Sequence, residues 1–259
     1  MMELKNKLDQ LNCCLDLKRE IVGVKFIFTK EDFDAFDVKQ VNNKMSYCNT
    51  VKLATRGKSF KANVDNFFCK ASARALGLMD VNNDITSGRL YHSFRMYNSL
   101  GTAKGVQKHV TFIDHEIYGV VVMPLEKFDT EPDVVVMIVN PYQAMRVVQG
   151  YSYSYGVAKN VKFTGNQGLC SECTATPYET NDLNVSLLCA NTRLAAKWSD
   201  EEMGLGVPFH MFNTIADGIM KTLDPSDPNS KKREIIERAK NRDIDIDVNL
   251  GTSYYRSGK

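Results

Sequence analysis

The stretch Tyr118–Asn140, YGVVVMPLEKFDTEPDVVVMIVN, holds two nearly unbroken apolar runs, 118–125 and 133–140, around the loop EKFDTEP. β-Branched side chains lose rotamer freedom in a helix and pack well on a pleated surface. A run with no polar alternation has no face to offer water, so both runs read as central strands buried on both sides. Upstream, IVGVKFIFT (21–29) alternates apolar with small or charged positions and reads as a further strand, with Lys25 pointing away from its apolar face. Downstream, Asn140-Pro141 stops the second run and starts a helix, PYQAMRVVQG, with proline at its permitted first position and Gly150 at its end.

Helical segments surround this sheet. Leu4, Leu8, Leu11 and Leu15 share one helical face, an amphipathic docking helix with Cys13 and Cys14 beside its stripe as small packed residues. MSYCNTVKLATRG (45–57) reads as a helix ending at Gly57, followed by an extended piece, SFKANV. Asp65 is then placed to cap NFFCKASARALG (66–77), with Cys69 in its first turns near the positive end of the helix dipole. Residues 82–105 read as helical, with Tyr91, Phe94 and Tyr97 as a core stripe, and TAKGVQKHV (102–110) as a polar turn. Beyond Cys189 follow a short helix NTRLAAKW, a capping-box pattern at Ser199 and Glu202, and a helix from Phe209 to Leu223. The charged helix KKREIIERAKNR (231–242), an edge strand DIDIDVNL (243–250) and a polar end complete the chain.

The expectation is an α+β fold, a central mixed sheet with helices packed around it, comprising one domain over 1–245 and a polar C-terminal tail over 246–259. A strand, a helix ending in glycine and a cysteine segment occur twice: VGVKFIF with TVKLATRGKSF and Cys69, then VVVMIVN with AMRVVQGYSYS and Cys170. This loose repeat would make two related halves with cysteines at their seam.

At 259 residues the chain can bury about three-quarters of its unfolded surface, so cysteine staples are not needed for stability. Lys and Arg number 33 against 31 Asp and Glu, a balance that advertises neither a nucleic-acid nor an acidic-membrane partner. The N-terminus lacks a secretory pattern and no stretch approaches the roughly 20 apolar residues of a membrane helix, so a cytoplasmic chain is expected. In that compartment thiols stay reduced, and an odd count of seven cysteines points to metal ligands, redox groups or buried small residues rather than disulfides.

Cys170, Cys173 and Cys189 fall within twenty residues, and Cys48 and Cys69 stand far upstream. Thiolates suit zinc, cuprous copper and iron–sulfur clusters. A structural zinc site usually shows paired knuckles, whereas this chain has only one CxxC, at 170–173, and its remaining candidates are scattered. Such a scatter fits an iron–sulfur cluster or a tuned metal site better. Two other readings stand beside it: ordinary buried cysteines, and a thiol oxidoreductase using Cys170 and Cys173. Arg193, four residues after Cys189, and Arg56, eight after Cys48, could bring positive charge to the thiolates or hold an anionic ligand, with surface salt bridges as the plainer alternative. The four histidines show no metal spacing, and GxGxxG, GxxxxGK[ST] and GxSxG are absent.

IVGVKF (21–26), YCNTVKLATRGKSF (47–60), CKASARALGL (69–78), GVVVMPL, GLCSECTATPY and NVSLLCANTR followed by EEMGLGVPF together resemble the family known as domain of unknown function 169, found largely in archaea and anaerobic bacteria. The resemblance implies no assigned activity. It implies family cysteines at 48, 69, 170 and 189, with Cys173 as the substitute. The expectation from residues and resemblance together is a 4Fe-4S protein with a redox or accessory role in anaerobic metabolism, working with a redox protein partner or a small anionic ligand. Zinc or copper at the same thiolates, in a non-catalytic module, is the alternative cofactor.

Overall fold

The computed structural model describes residues 2–254. Six strands form one sheet: β1 Val22–Ile27, β2 Phe60–Asn63, β3 Gly119–Pro124, β4 Val134–Val139, β5 Asn184–Ser186 and β6 Met203–Pro208, in the order β2-β3-β1-β4-β6-β5. The two valine runs are β3 and β4, every residue of both is buried, and β1 lies between them. Val22 faces Pro124 on one side and Val136 on the other. The named strands pair antiparallel throughout, and among the described residues parallel pairing enters only at the isolated bridges Gln40–Lys61 and Met45–Phe67.

The α+β architecture follows from how the continuous runs divide. Successive strand side chains point to opposite faces. Val134, Val136 and Ile138 therefore join one core with Val22, Val24, Val120 and Val122, while Val135, Met137 and Val139 join another on the reverse face. The helices are α1 Met2–Leu15, α2 Lys30–Ala35, α3 Tyr47–Ala54, α4 Lys70–Ala75, α5 Asn83–Thr86, α6 Arg89–Ser93, α7 Leu100–Gln107, α8 Pro141–Tyr155, a π-helix Gly168–Ala175, α9 Thr176–Thr180, α10 Ala190–Ala196, α11 Phe209–Lys221, α12 Leu223–Ser226 and α13 Asn229–Arg242. The first core carries α3, α4 and the π-helix with Cys48, Cys170 and Cys173, and the second carries α1, α8, α11 and α13. The two helices of the loose repeat, α3 and α8, thus lie over opposite faces of the sheet.

Several expectations are corrected by packing. Gly150 does not end α8, which runs to Tyr155. A Cβ at Gly218 of α11 would stand 2.1 Å from the Gly150 carbonyl oxygen, so the pair lets two helices cross in near contact. The polar turn at 102–110 is largely α7, started by Ser99, whose Oγ accepts from Thr102 N. Asn63, rather than Asp65, caps a 3-10 turn, and Cys69 is the N-cap of α4 instead of lying inside it. Of the aromatic stripe only Tyr91 is core, while Phe94 is 63% exposed. The expected strand 243–250 is irregular, with Ile246 and Val248 packed on the second core. The tail is therefore docked through these residues, and its last five, 255–259, lie outside the described residues. Cys13 and Cys14 are buried, and Leu11 and Leu15 pack in the second core with Cys14, as expected of a docking helix.

Candidate functional site

Cys48, Cys69, Cys170 and Cys189 come from four separate elements and line one cleft of about 340 Å³. Each stands at the start of a helical segment. Cys48 is the second residue of α3, Cys69 and Cys189 are the N-caps of α4 and α10, and Cys170 is the third residue of the π-helix. Backbone N–H groups concentrate at such positions. The remaining wall is largely apolar, with Ala71, Tyr91 and Ala190, and the exposed side chains of Phe68 and Met96 are at its edge.

Polar contacts fix this arrangement. Lys52 of α3 donates to the carbonyls of Ala196 and Lys197 at the end of α10, which holds Cys189 beside Cys48. Tyr47, the neighbour of Cys48, joins its hydroxyl to Thr174 Oγ1 at 2.9 Å and so ties α3 to the π-helix. Buried Glu172 accepts from Ser186 Oγ at 2.5 Å and from Thr164 N at 2.6 Å, which clamps the π-helix to β5 and to the preceding loop. Burial raises the Glu172 carboxyl above its ordinary value, and the Ser186 and Thr164 bonds oppose that rise.

The cleft sulfurs are supplied with uncharged donors. Thr192 Oγ1 lies 2.9 Å from Cys189 Sγ and 3.3 Å from Cys48 Sγ, and Asn191 Nδ2 lies 3.9 Å from Cys69 Sγ. Cys189 is drawn down to about 5, first by a hydrogen bond from Cys48 and then by bonds from Thr192 and from backbone N–H groups. Cys48 is correspondingly held well above the ordinary thiol value by the same bond and by burial. Burial likewise pushes Cys170 up. Among the described residues no group of three or more His, Cys, Asp or Glu is placed to hold a metal ion.

The family model described as "Uncharacterised ArCR" matches residues 10–218. The chain belongs to the domain of unknown function 169 family. It is similar to "Uncharacterized protein MJ0308" of Methanocaldococcus jannaschii, at 27% identity over 219 residues that cover 84% of this chain and 94% of that protein. No solved structure matches the chain. The four cysteines implied by the resemblance to domain of unknown function 169 are the four that the fold gathers, and they come from both ends of the matched region.

The other sequence candidates fall elsewhere. Cys173 is fully buried and turned toward the sheet, where a Cβ on Gly204 would lie 2.5 Å from its Sγ. The CxxC motif thus splits, Cys170 facing the cleft and Cys173 the core, because residues 170 and 173 lie on a π-helix packed against β6. Arg56 is exposed after α3 and does not line the cleft. Arg193 also stays out of it: its guanidinium donates to the carbonyls of Leu187, Ser199 and Glu202 and pins α10 to the β5–β6 region. Reading the sequence missed Thr192, Asn191, Tyr91 and Gln167. Thr192 had a signal, a hydroxyl three residues after Cys189 at a helix start, where the N-cap and third residue are neighbours. Gln167 and Tyr91 had none, since they stand 76 residues apart in the chain.

Among the described residues no helix is long and apolar enough to cross a membrane.

Proposed function

We propose that this chain is an iron–sulfur protein holding a 4Fe-4S cluster through Cys48, Cys69, Cys170 and Cys189, with a redox or accessory role in the cytoplasm of an anaerobic cell. The observation that carries the reading is the convergence of these four thiols, from four elements, on one largely apolar cleft. Soft sulfur donors suit iron, and a cleft of about 340 Å³ lined by four thiols has room for a cluster. When bound, such a cluster supplies one-electron transfer. The chain's own part is to hold the four sulfurs, to donate hydrogen bonds to them from Thr192 and Asn191, and to keep the cleft wall dry. Seven free cysteines accord with a reducing compartment.

Purification without oxygen tests this directly. About four irons and four acid-labile sulfides per chain are expected, with a broad visible band. Replacing Cys48, Cys69, Cys170 or Cys189 singly by Ser is expected to abolish the band, while Cys173→Ser retains it. Full absorbance in all four cleft variants would overturn the assignment, and zinc without sulfide would favour the non-catalytic module.

Cys48 and Cys189 both lie against Thr192 Oγ1, at 3.3 and 2.9 Å, and this pairing of two cleft thiols favours a second reading, thiol chemistry in the metal-free chain. It moves the expected thiol pair from Cys170/Cys173 to Cys48/Cys189. A colourless, metal-free chain in which oxidised glutathione links Cys48 to Cys189, and leaves Cys173 free, would support that reading over the cluster.

A further inference from the structure

We propose that Gln167 is a hydrogen-bond donor to sulfur held in the cleft on the side of Cys170 and Cys69, an inference that rests on the cluster reading above. Gln167 lines the cleft and is only 6% exposed. Its backbone is left-handed, φ 55 and ψ 43, a conformation that residues with a Cβ rarely adopt and that clusters at functional sites. From this position its carbonyl oxygen accepts from Ser171 N and Glu172 N, opening the π-helix that carries Cys170. The side-chain amide reaches Tyr91, with Nε2 2.8 Å from the hydroxyl oxygen, and its Oε1 is buried with no partner.

A buried amide atom without a partner is costly, and a half-turn of the amide exchanges its donor and acceptor ends. Tyr91 accommodates either state, because a phenol hydroxyl both accepts and donates. With the amide turned, Tyr91 donates to Oε1 and the –NH2 group is the end left to be satisfied. A cleft that gathers thiolates and cluster sulfides presents acceptors only, so the turned state is the one whose hydrogen bonds close when sulfur is present. Tyr91 itself lines the same cleft as Gln167, Cys170 and Cys69. Gln167 would then serve Cys170 and Cys69 as Thr192 serves Cys48 and Cys189. It is a positioning and tuning residue, not a ligand.

Donors to cluster sulfur stabilise the more negative, reduced state and raise the potential. The test is spectroelectrochemical titration of the anaerobically purified chain and of Gln167→Met, Gln167→Glu and Tyr91→Phe, with iron and sulfide measured on each sample. Gln167→Met is expected to keep the wild-type iron and sulfide content and to titrate at a lower potential. Gln167→Glu should fall further, and Tyr91→Phe, which removes the partner and spares the donor, should fall least. A fully loaded Gln167→Met with the wild-type potential would overturn this inference and leave the cluster standing. A wild-type chain without iron and sulfide would overturn the cluster, and this inference with it. If Gln167→Met loses its cooperative melting transition, Tyr91→Phe and Gln167→Asn decide: unchanged potentials in both overturn the proposal.

Discussion

Glu202 shows how one side chain links the cleft face to the rest of the fold. It forms a partly buried ion pair with Arg19, and its carboxylate also accepts from Ser199 N at 2.8 Å. The Arg19 guanidinium lies 4.5 Å over the Trp198 ring, just past the end of α10. Burial pushes the Glu202 carboxyl up, but the Arg19 and Ser199 bonds and the Arg19 and Lys52 charges outweigh it, so the carboxyl sits below its ordinary value. A carboxyl depressed by folding contributes stability above its unfolded value, near about 4.3, and loses it as pH falls through the folded value. Wild-type stability is therefore expected to drop on the acid side of that window. Glu202→Gln should be less stable at neutral pH and should show a shallower acid-side slope, measured by urea unfolding at a series of pH values. Equal slopes would remove Glu202 from the account. At this scale the chain was partly legible: the Ser199–Glu202 capping pair reads from spacing, but its partner Arg19 is 183 residues away.

Among elements, the crossing of α8 and α11 and the exposed helix α7 make opposed expectations for the same kind of substitution. Gly218 meets backbone: an added Cβ would lie 2.1 Å from Gly150 O and 2.9 Å from Gly150 C, and backbone cannot move aside as a side chain can. Gly218→Ala is expected to cost ~2 kcal/mol or more through overpacking and to lower the melting temperature by several degrees. Gly105 of α7 is exposed, and an added Cβ there meets nothing within 4 Å. Gly105→Ala is expected to stabilise by roughly 0.5–1 kcal/mol, because it only removes unfolded-chain freedom. Thermal melts of the two variants check both signs, and similar effects would deny the close crossing. Both glycines look alike as letters, which is why Gly150 reads as a helix end until its neighbour across the crossing is known.

For the whole molecule, the sheet separates two jobs. One face carries the cleft thiols Cys48 and Cys170 and the other carries the buried helices and the clamp on the C-terminal segment. Lys232 of α13 is fully buried, donates to Asn249 O at 2.8 Å and Thr252 Oγ1 at 2.7 Å, and faces Asp224 at 3.4 Å. A buried ammonium needs such partners, and removing it leaves them unpaired at a cost of about 1–3 kcal/mol. Lys232→Met is expected to release the segment 246–252 to proteolysis and faster amide exchange while leaving the cleft cysteines' reactivity unchanged. Slow exchange retained in that segment would show that Ile246 and Val248 hold it without the lysine.

Periodicity and residue type alone determined the α+β class, the two strands buried on both faces and the docking face of α1, because each depends on neighbours within a few residues, while the narrowing of five candidate cysteines to Cys48, Cys69, Cys170 and Cys189 came from the family resemblance. The thin strands β5 and β6 escaped, since three residues in one and glycines in the other carry little strand preference. Only the tertiary structure decided that β1 enters between the two valine strands, that Cys173 turns to the core while Cys170 turns to the cleft, and that neither Arg56 nor Arg193 reaches the thiols. Those outcomes depend on which distant surfaces pack together, and local preference carries no information about a partner more than a hundred residues away.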